Sequence, residues 1–227
     1  VQSPKRTILT RSYNATFYGL THLYRRPFHA SSINGTSSYK TSQQQLPPST
    51  VVLLRHGQSI WNQTNKFSGW CDVPLTKLGI DQAKDAGDLL KQKGFCFDHY
   101  YSSELKRAYE TAETVMDVVE GINSRKLTKN WSLNERHYGA LQGLSKQNPE
   151  LVSMYGIEQM NAWRREMFEA PPPMMEIHPY YRPPPAPKTE SLYDCQLRVL
   201  RFWHGTIVPA MASKKKILIA AHANTMR

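Results

Sequence analysis

Two short, wholly apolar runs each end in a histidine. Val51-Val52-Leu53-Leu54 leads into Arg55-His56-Gly57, and Ile217-Leu218-Ile219-Ala220-Ala221 leads into His222. Runs of aliphatic residues with no alternating polar partner describe strands buried on both faces, as in parallel sheets covered by helices. Between them the periodicity changes. Ile80, Ala83, Gly87 and Leu90 mark a helix over about 79–93. Leu105, Ala108, Ala112, Val115 and Val119 mark a second over 104–119, with Ser103 as its expected N-cap. Residues 95–101 and 126–131 read as further strands, and 149–155 and 157–168 as shorter helices. The proline-rich stretch 171–187 can hold neither a helix nor a central strand. A last helix is expected over 191–212, interrupted near Pro209. This alternation predicts an α/β domain of three layers, α/β/α, around a mostly parallel sheet.

Charge narrows the partners. The 227 residues carry 29 Lys and Arg against 18 Asp and Glu, a net +11. Residues 1–50 hold six of the basic groups and no acid, which leaves 23 against 18, or +5, for the part expected to fold. A nucleic-acid partner is therefore not implied by the overall charge. No run of 18 apolar residues is present, so no membrane-spanning helix is expected. Cys71, Cys96 and Cys195 are too few and too scattered for a disulfide framework or a thiolate metal site.

In a parallel sheet, ligands sit off the carboxyl ends of the strands. His56 and His222, 166 positions apart, are thus expected at one edge of one sheet. A histidine at a strand end can instead be a packing or capping residue. Arg55 beside His56 suits an anionic substrate, and a histidine attacking phosphorus needs cations around the phosphoryl oxygens. No glycine-rich phosphate loop with Lys-Ser/Thr occurs, and no acidic pair suited to Mg²⁺, so nucleotide and metal-dependent phosphoryl transfer are disfavoured.

Several blocks taken together are more specific. They are Arg55-His56-Gly57-Gln58-Ser59-Ile60-Trp61-Asn62, Asn65-Lys66-Phe67-Ser68-Gly69-Trp70 and Ser102-Ser103-Glu104-Leu105-Lys106-Arg107-Ala108. Further on stand Leu133-Asn134-Glu135-Arg136-His137-Tyr138-Gly139, Glu158-Gln159 with Trp163-Arg164-Arg165, Glu190-Ser191-Leu192 and Ala220-Ala221-His222. Residues 51–227 so resemble the cofactor-dependent (2,3-bisphosphoglycerate-requiring) phosphoglycerate mutases of the histidine phosphatase superfamily.

The resemblance implies that His56 becomes phosphohistidine, with Arg55 and Arg107 gripping the phosphoryl oxygens. It makes Glu135 the proton donor and acceptor, and His222 a stabiliser of the pentacoordinate transition state. A surface ion pair with Arg136 is the alternative for Glu135. Asn62, Ser68, Gly69 and Asn224 would complete the substrate cradle, and Tyr138, Lys146, Arg164 and Arg165 would hold the far phosphate and carboxylate. The implied reaction interconverts 3-phosphoglycerate and 2-phosphoglycerate, primed by 2,3-bisphosphoglycerate and without a metal. The partner would be a small-molecule substrate, with homo-oligomers left open. Two alternatives stand beside it: a bisphosphoglycerate or broad phosphomonoester phosphatase, and a non-catalytic relative.

Three departures from the family pattern carry expectations. Ala223 stands where the family has glycine, which would cost roughly 1 kcal/mol if that residue needs positive φ. The 171–189 segment is shorter than its counterpart, and family members continue beyond Arg227, so a sheet edge is expected to be open and the domain C-terminally incomplete. The acid-free residues 1–50 resemble a transit peptide or a disordered leader, with Leu20, Leu23, Tyr24 and Phe28 near one helical face. The expected location is the mitochondrion, with plastid or cytoplasm as alternatives, and the fold is expected to begin only after Pro47-Pro48.

Overall fold

The computed structural model describes residues 15–20, 49–121 and 126–227. Its centre is a parallel sheet of five strands, β1 (Ala15–Leu20), β2 (Ser49–Arg55), β3 (His99–Ser102), β4 (Leu127–Lys129) and β5 (Ile217–Ala221). The strand order is β1-β2-β5-β3-β4. The two apolar runs are thus neighbours, with Val52 opposite Leu218 and Leu54 opposite Ala220.

Strand periodicity sorts their side chains between two cores. On one face Val52, Leu54, Leu218 and Ala220 meet Leu90 of α2 (Lys77–Gln92) and Ala112, Val115 and Met116 of α3 (Lys106–Glu120). On the other, Val51, Ile217, Ile219 and Ala221 meet Phe202 of α5 (Leu192–Phe202) and Met211 of α6 (Val208–Ala212). Residues with no polar neighbour along the strand are what a sheet covered on both faces requires. A satellite core of Phe67, Leu141, Leu151, Met160 and Trp163 supports α4 (Pro149–Arg165), and a one-turn helix, α1 (Ile60–Gln63), follows β2.

Several boundaries differ from expectation for local reasons. The strand expected over 95–101 is confined to β3, because pairing with β5 starts at His99, opposite Ile217. Phe95 and Phe97 stack on each other ahead of it, ring centroids 5.8 Å apart. Ser103 does not cap a helix at 104. Its hydroxyl faces His222, α3 starts at Lys106, and the N–H of Lys106 donates to Asp72 at 2.6 Å. The two helices expected around residue 156 form one element bent at Gly156, whose φ of +78° suits only glycine without strain. The last helix breaks earlier than Pro209, at a π-helical turn over Trp203–Ile207, and the proline is accommodated in the first turn of α6.

Strand β1 corrects the expectation that the fold begins after Pro47-Pro48. It pairs in parallel with β2 from Ala15 opposite Ser49 to Leu20 opposite Leu54, so β2 is an inner strand. The helical face expected over 20–28 lies, apart from Leu20, outside the described residues. Among the described residues no helix is long and apolar enough to cross a membrane.

Candidate active site

Adjacent parallel strands place Arg55 opposite Ala221, so the residues that follow leave the sheet side by side. The His56 and His222 rings lie 5.0 Å apart between centroids. The His56 backbone N–H donates to the Ala221 carbonyl at 3.1 Å, and its Nδ1 lies 2.6 Å from the Gly57 carbonyl oxygen. A carbonyl only accepts, so Nδ1 carries the proton and Nε2 keeps its lone pair. Burial, reinforced by the Arg107 and Arg55 charges, holds the His56 pKa well below 6.5. The result is a neutral imidazole with one nitrogen free to attack.

Gly57 is required by a close backbone approach. A Cβ there would lie 2.2 Å from the Gly79 carbonyl oxygen, and a Cβ on Gly79 would lie 2.1 Å from that of Gln58. The loop bearing His56 is thus pressed against the first turn of α2. His222 is fully buried, its Nε2 2.7 Å from the Ser103 hydroxyl, and its Nδ1 has no hydrogen-bond partner among the described residues. Burial, then the Arg107 and His56 charges, lowers its pKa well below 6.5 as well.

Cations surround this floor. Arg107, in the first turn of α3, is fully buried and donates to the carbonyls of Gly69 at 2.8 Å and Cys71 at 2.9 Å. Burial pulls its pKa down to about 10, which leaves it charged at neutral pH. Lys146 is held by its backbone N–H on the Asn65 carbonyl, and burial with the Arg164 charge lowers its pKa. Arg164 and Arg165 occupy the last turn of α4, where the helix dipole favours cations. Asn62 is fixed by the capping box of α1, its Oδ1 accepting from the Ser59 N–H at 3.0 Å. Asn224 donates to the Tyr138 hydroxyl at 3.1 Å.

These side chains line one cavity of about 290 Å³. Every expected site residue lines it except His222, which stands behind His56. Its charge is lopsided: Arg55, Arg107, Lys146, Arg164, Arg165 and Arg227 face a single carboxylate, Glu135. Such a chamber suits a small, multiply anionic molecule. Among the described residues no group of three or more His, Cys, Asp or Glu is placed to hold a metal ion.

The model of the histidine phosphatase superfamily (branch 1) matches residues 51–227. The chain belongs to the histidine phosphatase superfamily. A 2,3-bisphosphoglycerate-dependent phosphoglycerate mutase of Parabacteroides distasonis is 44% identical over 188 residues, 78% of this chain and 75% of that protein. Among solved structures, a mycobacterial hydrolase shares the fold with a TM-score of 0.60 at 23% identity, over 77% of this chain and 73% of its own. A mycobacterial glucosyl-3-phosphoglycerate phosphatase does so at 0.58 and 24%, over 77% and 76%.

In this superfamily member four features add to or correct what the sequence implied. Arg136 is not the surface partner of Glu135. Both are buried, the Glu135 carboxylate accepts the Arg136 backbone N–H at 2.8 Å, and the guanidinium donates to the Trp163 carbonyl beneath the Tyr138 ring. Ala223 lines the cavity without the strain expected of it, since among the described non-glycine residues only Asn65 and Lys214 have positive φ. Arg227 adds a sixth cation. The fourth feature is a buried ion pair between Glu190 and Arg198, at 2.6 Å. A lone arginine inside a helix leaves no mark in the sequence that separates it from a solvated one.

Proposed function

We propose that the chain interconverts 3-phosphoglycerate and 2-phosphoglycerate through a phosphoryl group carried on His56. The observation that carries this reading is the single chamber holding a neutral His56 at one end and the Lys146, Arg164 and Arg165 cations within the same walls. A hydroxyl of the phosphoglycerate takes the phosphoryl group from phosphorylated His56 and frees Nε2, which then attacks the phosphorus at the other position of the resulting bisphosphoglycerate, and the bond to that ester oxygen breaks. Arg55 and Arg107 offset the charge that develops on the phosphoryl oxygens. Glu135 takes the proton from the hydroxyl that receives the phosphoryl group, then gives it to the alkoxide that leaves. Lys146, Arg164 and Arg165 hold the distal anionic group, so either hydroxyl can be presented without release of the acid.

The donor set fits 2,3-bisphosphoglycerate as primer. Six cations against one carboxylate can take two phosphates and a carboxylate at once, with Arg55 and Arg107 on one phosphate and Lys146, Arg164 and Arg165 on the other. That molecule supplies the phosphoryl group with which His56 is first charged.

Hydrolysis is the second reading, and the names of the solved neighbours favour it: one is a hydrolase and another a sugar-phosphoglycerate phosphatase. The 44% identical mutase and the distal cations weigh on the other side. The two separate in one assay on 3-phosphoglycerate, with 2-phosphoglycerate read through coupled enolase and free phosphate read in parallel. The proposal expects 2-phosphoglycerate to form faster than phosphate. Phosphate release outpacing it replaces the mutase with a phosphatase.

Import into an organelle, mitochondrion before plastid, is proposed from the six cations and no acid of residues 1–50. Residues 1–50 behind an initiator methionine, fused to a fluorescent reporter, should reach the organelle. Diffuse fluorescence would place the protein in the cytoplasm instead.

A further inference from the structure

The Glu190 and Arg198 side chains lie outside the cavity, yet they bind the loop that carries Glu135. Both are almost fully buried. The Arg198 guanidinium forks onto Glu190, Nε to Oε1 at 2.6 Å and Nη2 to Oε2 at 2.9 Å. Its remaining donors do not go to side chains. Nη1 reaches the Ser132 carbonyl at 2.9 Å, and Nη2 reaches the Glu135 carbonyl at 2.9 Å. The Glu190 carboxylate accepts the His137 N–H at 2.8 Å, and the Glu190 N–H returns to the His137 carbonyl at 3.1 Å. The pair therefore grips the backbone on both sides of Glu135, at residues 132, 135 and 137.

The grip is itself anchored. Glu190 immediately precedes Ser191, whose capping box with Asp194 starts α5, and Arg198 lies two turns further along that helix. The indole of Trp70 lies 5.6 Å from the guanidinium. A buried ion pair is weak evidence for stability, because an apolar pair of similar volume often serves as well. What an apolar pair cannot do is donate to two carbonyls and accept one N–H of an irregular loop. The Glu135 carboxylate has one hydrogen bond of its own among the described residues, from the Arg136 N–H.

We propose that Glu190 and Arg198 are positioning residues for Glu135, holding its carboxylate where it exchanges a proton with the substrate oxygen. The proposal rests on the reading of Glu135 as the proton donor. It predicts a selective defect. An alkyl phosphate such as 2,3-bisphosphoglycerate needs the leaving oxygen protonated, whereas the 4-nitrophenolate of 4-nitrophenyl phosphate leaves as a stable anion and does not.

The test uses the full chain and two variants that treat the charge differently. Arg198→Lys keeps the cation and loses the fork, and Arg198→Met with Glu190→Met removes both charges, so at least one should fold. Phosphorylation of His56 is followed in single turnover with both phosphate esters, beside Glu135→Gln. Each folded variant should lose about 10- to 100-fold with 2,3-bisphosphoglycerate and less than about 3-fold with the aryl ester. In a Glu135→Gln background, Arg198→Lys should add less than about 2-fold. Equal losses on both esters, or full additivity with Glu135→Gln, would overturn the positioning role. If Glu135→Gln itself shows no selectivity between the esters, the proton-donor reading falls first and takes the proposal with it.

Discussion

At the scale of single residues, protonation states decide what the site can do. His56, His137 and His222 are all held below the ordinary histidine value of 6.5 by burial, His137 at about 4. In each, the unfolded chain takes up a proton that the folded chain refuses. Their contribution to stability is therefore complete above pH 6.5 and declines as pH falls below it. The folded protein should therefore be less stable at pH 5.5 than at pH 7.5. Urea unfolding of the ligand-free protein at pH 7.5 and 5.5 measures this, and a flat result would contradict the buried neutral imidazoles. For the same reason the acid limb of kcat/KM should lie below pH 6.5, since His56 remains a free nucleophile there. These pKa shifts were not legible in the sequence. The pairing of two histidines at strand ends was, because the apolar runs before them fix where a parallel sheet must place them. The alternative of a surface ion pair between Glu135 and Arg136 could be set aside only once the burial of both was known.

At the scale of elements, α4 brings the distal cations to the substrate. Its last turn carries Arg164 and Arg165, and the bend at Gly156 sets the direction of that turn. Arg164→Ala should raise KM for phosphoglycerates by about 10-fold or more while changing aryl phosphate turnover little, because the lost charge meets only the distal group. Parallel steady-state assays check it, and equal losses on both substrates would remove Arg164 from the distal subsite. Gly156→Ala should cost about 1 kcal/mol from its positive φ alone, since a Cβ there meets nothing within 4 Å. Denaturant titration reads that loss. The helix periods of α2 and α3 could be read directly from their apolar stripes. The start of α3 could not, since Asp72 reaches it from a distant loop and Ser103 is taken by His222.

At the scale of the whole molecule, the sheet extends into the acid-free leader. Six consecutive register pairs join β1 to β2, and although the run is short and set among arginines, Thr16, Phe17 and Tyr18 are residue types that strands favour. Among the described residues, none before Arg55 lines the cavity. Removing residues 1–48 should therefore leave kcat within about 2-fold while lowering Tm by several degrees, as an inner strand becomes an edge. Thermal unfolding and kinetics on the shortened chain check both halves, and loss of activity without loss of stability would give the leader a role in the site. Exhaustive chelation should leave activity intact if cations of the protein alone offset the phosphoryl charge. Every step of the proposed reaction requires His56 to carry the phosphoryl group. The direct measurement is to mix the protein with 2,3-bisphosphoglycerate, quench in alkali, and locate the phosphoryl group by mass spectrometry of the peptides. We expect one acid-labile phosphate, on His56, that is absent from His56→Asn. A stable phosphate on another residue, or none on a protein that still turns over substrate, would contradict it.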